Sequence, residues 1–244
     1  MAGKTISDWG KSMKETGLNV LKQTADRFHT IKQEDVERLK KSGLPQYDWF
    51  VLPYRDFSQK NNNLTSWMNK YTQKGEGFCI RAIPTEEGIK KGLTRKPKFG
   101  YLSFQYCINF LNEKTRDTGK EDWNIIMSNW EEDNYGGVII SGDRFVIGEI
   151  SSNLEKLTSM EQTPLAGFIF DRGGLGYITD KTKWMDNSQE KAKSVLWKTF
   201  FNNIKQGDDN FNPSLLKGYF EFVYTKTDKI RFLDFKENEQ YIKI

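Results

Sequence analysis

Apolar residues change from helical to strand-like spacing along this chain of 244 residues. Near the amino terminus, apolar residues from Trp9 to Phe28 recur at roughly helical spacing, which predicts a helix over residues 5–28. The segment QEDVERLKKSG, residues 33–43, begins with acids and ends with lysines and a glycine, the usual charge order of a short helix. We therefore expect a helical amino-terminal extension over residues 1–44.

From residue 45 onward, short apolar runs rich in β-branched and aromatic residues predict strands. Single runs of this kind occupy residues 47–55, 77–85 and 122–130. Three paired runs with a turn between them predict hairpins: YGGVIISGDRFVIGEI, LAGFIFDRGGLGYITD and LLKGYFEFVYTKTDKIRFLDF. Helical spacing returns at residues 61–75, 103–114 and 187–207. The order predicts an α+β domain over residues 45–244, with mainly antiparallel sheets and flanking helices.

Composition narrows the chemistry that the chain can perform. Aromatic residues make up 14% of the sequence, which favours a packed core over a disordered chain. The net charge of +4 permits a polyanionic partner but does not require one. The single histidine, His29, excludes a zinc site or catalytic triad built on histidines, and Cys79 and Cys107 are expected to be buried reduced thiols. Chemistry would therefore rest on Lys, Arg, Asp and Glu.

The sequence contains neither the apolar core of a signal peptide nor a run long enough to span a membrane. We therefore expect a soluble, cytoplasmic protein.

Four charged residues interrupt apolar segments: Arg81, Glu149, Glu221 and Asp234. A buried charge is costly unless a counter-charge or a metal compensates it. Two acids on neighbouring strands of a hairpin repel each other, and a divalent cation between them removes that repulsion. An arginine nearby would grip phosphate oxygens. The alternative is structural: Arg81 forms a buried salt bridge with one acid, and the remaining charges face solvent.

The order of these segments resembles ATP-grasp domains, most closely the nucleotide-binding domain of pyruvate phosphate dikinase and phosphoenolpyruvate synthase. FCIRAIPTEEG is similar to the family's arginine strand. GGVIISGDRFVIGEI with LEKLTSMEQTP resembles its hairpin and the connection that follows, and YFEFVY…IRFLDF resembles its metal-binding closing hairpin. The resemblance spans roughly residues 47–240.

The resemblance implies a protein that binds ATP and Mg²⁺ and transfers a phosphoryl group, or ligates, onto an unidentified acceptor. Arg81 and Arg95 would contact the phosphates, with Arg81 also acting in catalysis, and Glu149 would hold the ribose or a second cation. Glu221 and Asp234 would be the metal ligands. The family's Ser-Ser-Ala run is replaced here by residues 82–85, and Asp234 stands where the dikinases have Gln. No phosphohistidine domain follows, so a phosphoenolpyruvate-forming cycle is not expected.

Two other functions remain open from the sequence. KGEGF, residues 74–78, resembles the Lys-x-Asp-Gly motif of nucleic-acid ligases, with Lys74 as the nucleophile, although the closing Lys-x-Lys motif is missing. The simpler interpretation of Lys74 is a helix-ending turn. Alternatively, the aromatic and lysine side chains of TSWMNKYTQK and KPKFGYLSFQY would form a binding surface for single-stranded nucleic acid, unless the aromatics belong to the core.

Overall fold

The computed structural model describes residues 33–58, 62–94, 96–100, 102–143, 145–158, 162–171, 182–206 and 214–237. The helix predicted over residues 5–28, His29, Arg95, and the turn and second strand of the hairpin predicted in LAGFIFDRGGLGYITD lie outside the described residues. None of the helices in the described ranges is long and apolar enough to cross a lipid bilayer.

The elements are numbered in chain order. The α-helices are α1 (Gln33–Lys41), α2 (Tyr54–Ser58), α3 (Asn62–Thr72), α4 (Glu86–Lys90), α5 (Phe104–Lys114), α6 (Leu154–Thr158) and α7 (Glu190–Thr199). The strands are β1 (Trp49–Pro53), β2 (Gly77–Pro84), β3 (Lys96–Gly100), β4 (Trp123–Trp130), β5 (Asp133–Ser141), β6 (Phe145–Ser151), β7 (Ala166–Asp171), β8 (Thr182–Trp184), β9 (Lys205–Gln206), β10 (Ser214–Leu215), β11 (Gly218–Thr225) and β12 (Ile230–Lys236).

The chain divides into two compact units, of which the smaller is Tyr47–Glu132. Its described residues contain an antiparallel sheet in the order β1-β4-β2-β3. Apolar residues that alternate along β2 place Phe78, Ile80 and Ala82 on one face, where they join the core. Leu64 and Met68 of α3 and Leu111 of α5 belong to the same core, because their spacing puts them on one side of each helix.

The larger unit comprises residues 1–46 and 133–244. Its described residues contain an antiparallel sheet in the order β12-β11-β5-β6-β7-β8, and β9 and β10 form a separate pair. Alternate residues of the six strands, such as Ile139, Phe168 and Phe222, form a large core with Leu39 of α1 and Leu196 of α7. We call this side the helix-covered face of the sheet.

The opposite face carries a smaller apolar cluster. Its buried members are Val138, Ile140, Ile147, Leu157 and Tyr219. Leu154 of α6 packs against this cluster. We call this side the second face. Its residues alternate along each strand with the residues of the helix-covered face.

The expected α+β fold with mainly antiparallel sheets and flanking helices is confirmed. The helix predicted over residues 187–207 is an α-helix only to Thr199, and Phe200–Ile204 continue it as a π-helix. Strand β3 was not predicted, because its two lysines and Pro97 lack the apolar alternation of a strand. Pro97 is tolerated because β3 lies at the edge of its sheet.

The predicted division into an extension over residues 1–44 and a domain over 45–244 stays a prediction. Of that extension the structure describes residues 33–44, where α1 packs against β12.

Candidate functional site

Three of the predicted site residues lie in one row across the six-stranded sheet. Asp234 of β12 faces Glu221 of β11, Glu221 faces Val138 of β5, and Val138 faces Glu149 of β6. Residues directly opposite each other in antiparallel strands project from the same face. All three carboxylates therefore project from the second face, together with Val138. We call Asp234, Glu221 and Glu149 the acidic row.

The row has a definite spacing. Neighbouring strands are about 4.8 Å apart, so Glu221 and Asp234 are adjacent, whereas Glu149 lies two strands from Glu221, at about 10 Å between backbones. The described residues contain no group of three or more His, Cys, Asp or Glu that could by itself hold a metal ion. The geometry therefore offers one close acid pair, Glu221 with Asp234, and a third acid farther along the same face.

Local sequence explains how Glu221 reaches the second face. Phe220 and Phe222 flank it and enter the core of the helix-covered face, where both are fully buried. Because side chains alternate along a strand, Glu221 must project in the opposite direction, beside Tyr219. The Tyr219 hydroxyl donates a hydrogen bond of 2.7 Å to Oε1 of Glu221, which holds this half-buried carboxylate in place.

Asp234 is only 2% exposed and has a cationic neighbour two residues along the strand. Nζ of Lys236 lies 3.1 Å from Oδ2 of Asp234. Lys236 is opposite Tyr219 in the strand register, so the lysine, the tyrosine and the acid pair occupy one patch. A carboxylate has two oxygens, and its bond to Lys236 therefore still allows Asp234 to bind a cation.

Glu149 is buried, at 3% exposure, in the middle of the sheet. Its partner on β7 is Gly167, and a β-carbon at Gly167 would lie 3.3 Å from Cγ of Glu149 and 2.6 Å from Sδ of Met185. The absence of a side chain at Gly167 thus makes room for both the glutamate stem and the methionine.

Arg81 belongs to the smaller unit. It is 6% exposed, lies on β2, and its guanidinium is 5.2 Å from the ring centroid of Trp49 on β1. Such a cation–π contact stabilises a buried guanidinium. The structure therefore places Glu149, Glu221 and Asp234 on one face within one unit, whereas Arg81 lies in the other unit and Arg95 lies outside the described residues.

Sequence reasoning missed Tyr219 and Lys236. Their signal was nevertheless present, since each stands two positions from an acid on the same strand. That spacing puts Tyr219 beside Glu221 and Lys236 beside Asp234 on the same side of the sheet.

Lys74, the nucleophile of the alternative ligase interpretation, follows α3 in a turn. Its backbone N–H donates to the carbonyl of Tyr71 at 2.9 Å, and Gly75 has a φ of 73°, as expected at the end of a helix. The exposed Lys74 ammonium lies 5.3 Å from the ring centroid of Tyr71. These features agree with the helix-ending turn that the sequence favours.

The aromatic residues of TSWMNKYTQK pack inward. Tyr71 is 7% exposed, and Trp67 contacts the rings of both Tyr71 and Phe78, at 5.1 Å and 5.6 Å between centroids. Both Trp67 and Tyr71 also donate hydrogen bonds to Asp48, so their polar atoms have partners within the unit. This agrees with the core interpretation of these aromatics.

Comparisons with known proteins give structural likenesses only. No family model matches the chain, and no curated protein matches it. The D-alanine-D-alanine ligase from Coxiella burnetii is similar with a TM-score of 0.39 and 10% identity, over 97% of this chain and 56% of that one. An N5-carboxyaminoimidazole synthase from Aspergillus clavatus, solved with ADP, is similar with a TM-score of 0.39 and 11% identity, over 92% of this chain and 49% of that one.

A Chryseobacterium gregarium RiPP-associated ATP-grasp ligase, solved with ADP and a leader and core peptide, gives a TM-score of 0.35 and 11% identity, over 89% of this chain and 55% of that one. The chain thus spans about half the length of these solved proteins. Since every one of these TM-scores is below 0.5, the likenesses carry no argument about function.

Proposed function

We propose that this chain is an ATP-grasp-like domain that binds Mg·ATP against the second face of its six-stranded sheet. The observation that carries the proposal is the cross-strand pairing of Glu221 with Asp234, in one row with Glu149. The bound nucleotide would serve a phosphoryl transfer or a ligation onto an acceptor. The finer likeness to the dikinase group stays a prediction.

The acid pair suits a magnesium ion by its chemistry. Two carboxylates that face each other across neighbouring strands repel, and the ion pair of Asp234 with Lys236 offsets part of this repulsion. Magnesium prefers oxygen ligands, uses one or two carboxylates, and takes its remaining ligands from water and substrate phosphates. Glu221 and Asp234 would therefore hold the cation, and the phosphates of ATP would lie over the same patch.

The remaining residues would hold the nucleotide. Glu149, two strands from Glu221, would accept hydrogen bonds from the ribose hydroxyls. The resemblance predicts that Arg81 and Arg95 contact phosphate oxygens, which a guanidinium binds in a bidentate manner, and this stays a prediction. Phosphoryl transfer relies on positioning and charge neutralisation, so it needs no histidine or cysteine nucleophile from the protein.

Thermal unfolding with and without Mg·ATP tests the proposal. At a ligand concentration one hundred times Kd, binding stabilises the folded state by about 2.7 kcal/mol. We expect this gain in the wild type and its loss in Glu221→Gln and in Asp234→Asn. Asp143→Asn serves as the control, because Asp143 is an exposed acid that forms an ion pair with Lys217 in the turn region before β6.

The proposal is wrong if Mg·ATP does not stabilise the wild type, or if Glu221→Gln and Asp143→Asn respond alike. The two other functions make different predictions. A nucleic-acid ligase would form a covalent adduct with labelled ATP that Lys74→Ala abolishes. A single-stranded nucleic-acid-binding protein would bind oligonucleotides with steep salt dependence and no effect of ATP.

A further inference from the structure

Tyr219 connects the acid pair to the packed part of the second face. It is 3% exposed and belongs to the buried apolar cluster of that face. Its ring is therefore held by packing, since close-packed side chains have few alternative positions. Its hydroxyl donates a hydrogen bond of 2.7 Å to Oε1 of Glu221. Tyr219 thus joins a rigid apolar cluster to one oxygen of a proposed metal ligand.

This hydrogen bond matters because a glutamate side chain can adopt many conformations. Glu221 is only half-buried, and ordering such a side chain when a ligand binds costs conformational entropy. A hydrogen bond from a fixed hydroxyl orders the carboxylate beforehand, which is how outer partners orient the ligands of metal ions in proteins. Glu221 would therefore meet a cation with its carboxylate already in position.

Charged residues share the second face with Glu221. The strand register puts three residues of β12 on that face: Asp234, Lys236 and Arg231. Tyr219→Phe removes one hydroxyl, alters none of these charges and keeps the ring that packs in the apolar cluster. The effect of the hydroxyl can therefore be measured with the charges of the patch unchanged.

We propose that Tyr219 is a positioning residue for metal binding, and that its hydroxyl holds Glu221 in the orientation that binds the divalent cation. This inference rests on the Mg·ATP function proposed above. Tyr219 would act through Glu221 and would contact neither the metal ion nor the nucleotide.

Tyr224 provides a matched control on the same strand. Its hydroxyl also donates a hydrogen bond to a carboxylate, at 2.9 Å from Oδ1 of Asp228. Asp228 is exposed in the turn between β11 and β12, and Tyr224 packs against the core of the helix-covered face. Tyr224→Phe therefore removes the same chemical group from the same strand, away from the acid pair.

Metal affinity tests the proposal without measuring activity. Mn²⁺ is titrated into the full chain with a non-hydrolysable ATP analogue present, and binding of the analogue alone is measured in EDTA. In Tyr219→Phe we expect the Mn²⁺ affinity to fall by about tenfold or more, as is usual when an outer partner of a metal ligand is removed. The affinity for the analogue alone should not change, and Tyr224→Phe should behave as the wild type in both measurements. A purely structural role of Tyr219 would lower the unfolding temperature and leave the Mn²⁺ affinity of the folded protein unchanged.

The Glu221→Asp background shows whether the effect passes through Glu221. The shorter aspartate leaves the carboxylate out of reach of the hydroxyl, so Tyr219→Phe should weaken Mn²⁺ binding no further there. A further loss in that background would overturn the inference. Wild-type Mn²⁺ affinity in folded Tyr219→Phe, or equal losses in Tyr219→Phe and Tyr224→Phe, would also overturn it and leave the Mg·ATP function standing. If the wild type binds neither Mn²⁺ nor the analogue, the proposed function fails and this inference fails with it.

Discussion

Replacing Gly137 by alanine is expected to destabilise the sheet at the strand next to the candidate site. Gly137 is a buried residue of β5, and it pairs with Phe222 on β11 and with Ile150 on β6. A β-carbon at this position would lie 2.6 Å from Cε1 of Phe222 and 2.8 Å from the carbonyl oxygen of Glu149. Real β-carbons do not approach other atoms so closely, so ring and backbone must both move.

The cost follows from the nature of these two neighbours. Phe222 is fully buried, so its ring moves only by disturbing the core. Overpacking of a well-packed core costs typically about 1–3 kcal/mol. The contact with the backbone of Glu149 cannot be relieved by a rotamer change, and we therefore expect a loss of about 3 kcal/mol, near the upper end of that range.

Urea unfolding of a double-mutant cycle measures this effect. Phe222→Leu shortens the ring that blocks the alanine, so Gly137→Ala combined with Phe222→Leu should be more stable than the sum of the single changes by about 1 kcal/mol. The control partner is Phe168→Leu, which lies two strands away on β7. The changes in free energy of unfolding caused by Gly137→Ala and Phe168→Leu should be additive. A neutral Gly137→Ala, or equal coupling with both phenylalanines, would refute the reasoning.

Two further predictions concern titrating groups. The hydrogen bond to Asp122 raises the pKa of Lys91 above its ordinary value of 10.5. The wild type should therefore have a higher free energy of unfolding than Lys91→Met below that pH, and this difference should disappear as the pH rises through the raised pKa. A gap that widens in unfolding experiments at high pH would contradict this sign. Burial raises the pKa of Cys107 to about 12, and Cys79 is also buried, so a thiol reagent at neutral pH should label the chain's two cysteines only after denaturation. Rapid labelling of the native protein would contradict their burial.

Elements with a strong local pattern could be predicted from the sequence. GFCIRAIPT became β2, which is buried along its whole length, and SFQYCINFLNEK became α5 with Ser103 as its cap. Strand β3 could not be found in this way, because it is held by pairing with β2 at the sheet edge and not by its own residues. The π-helix at Phe200–Ile204 likewise has no local signal that we recognise.

The sequence predicted that Glu221 and Asp234 lie on neighbouring strands of one hairpin, but not that they face each other. Glu221 and Asp234 stand on consecutive strands joined by a short turn, and the structure pairs them directly. Glu149 enters the same row only because β5 lies between β6 and β11, a sheet order that no local pattern contains. The unit to which Arg81 belongs depends in the same way on contacts between distant segments.

A β-bulge in β12 decides that Asp234 lies beside Glu221. Strict alternation would put Phe232 and Asp234 on the same face, because they are two residues apart. Phe232 is nevertheless in the core of the helix-covered face, opposite Phe222, while Asp234 is opposite Glu221. The register shifts between these two pairs, so Leu233 is an extra residue that reverses the alternation. The bulge therefore lets one short strand bury Phe232 on one side and present Asp234 and Lys236 on the other, and alternation read from the sequence alone would have sent Asp234 into the core.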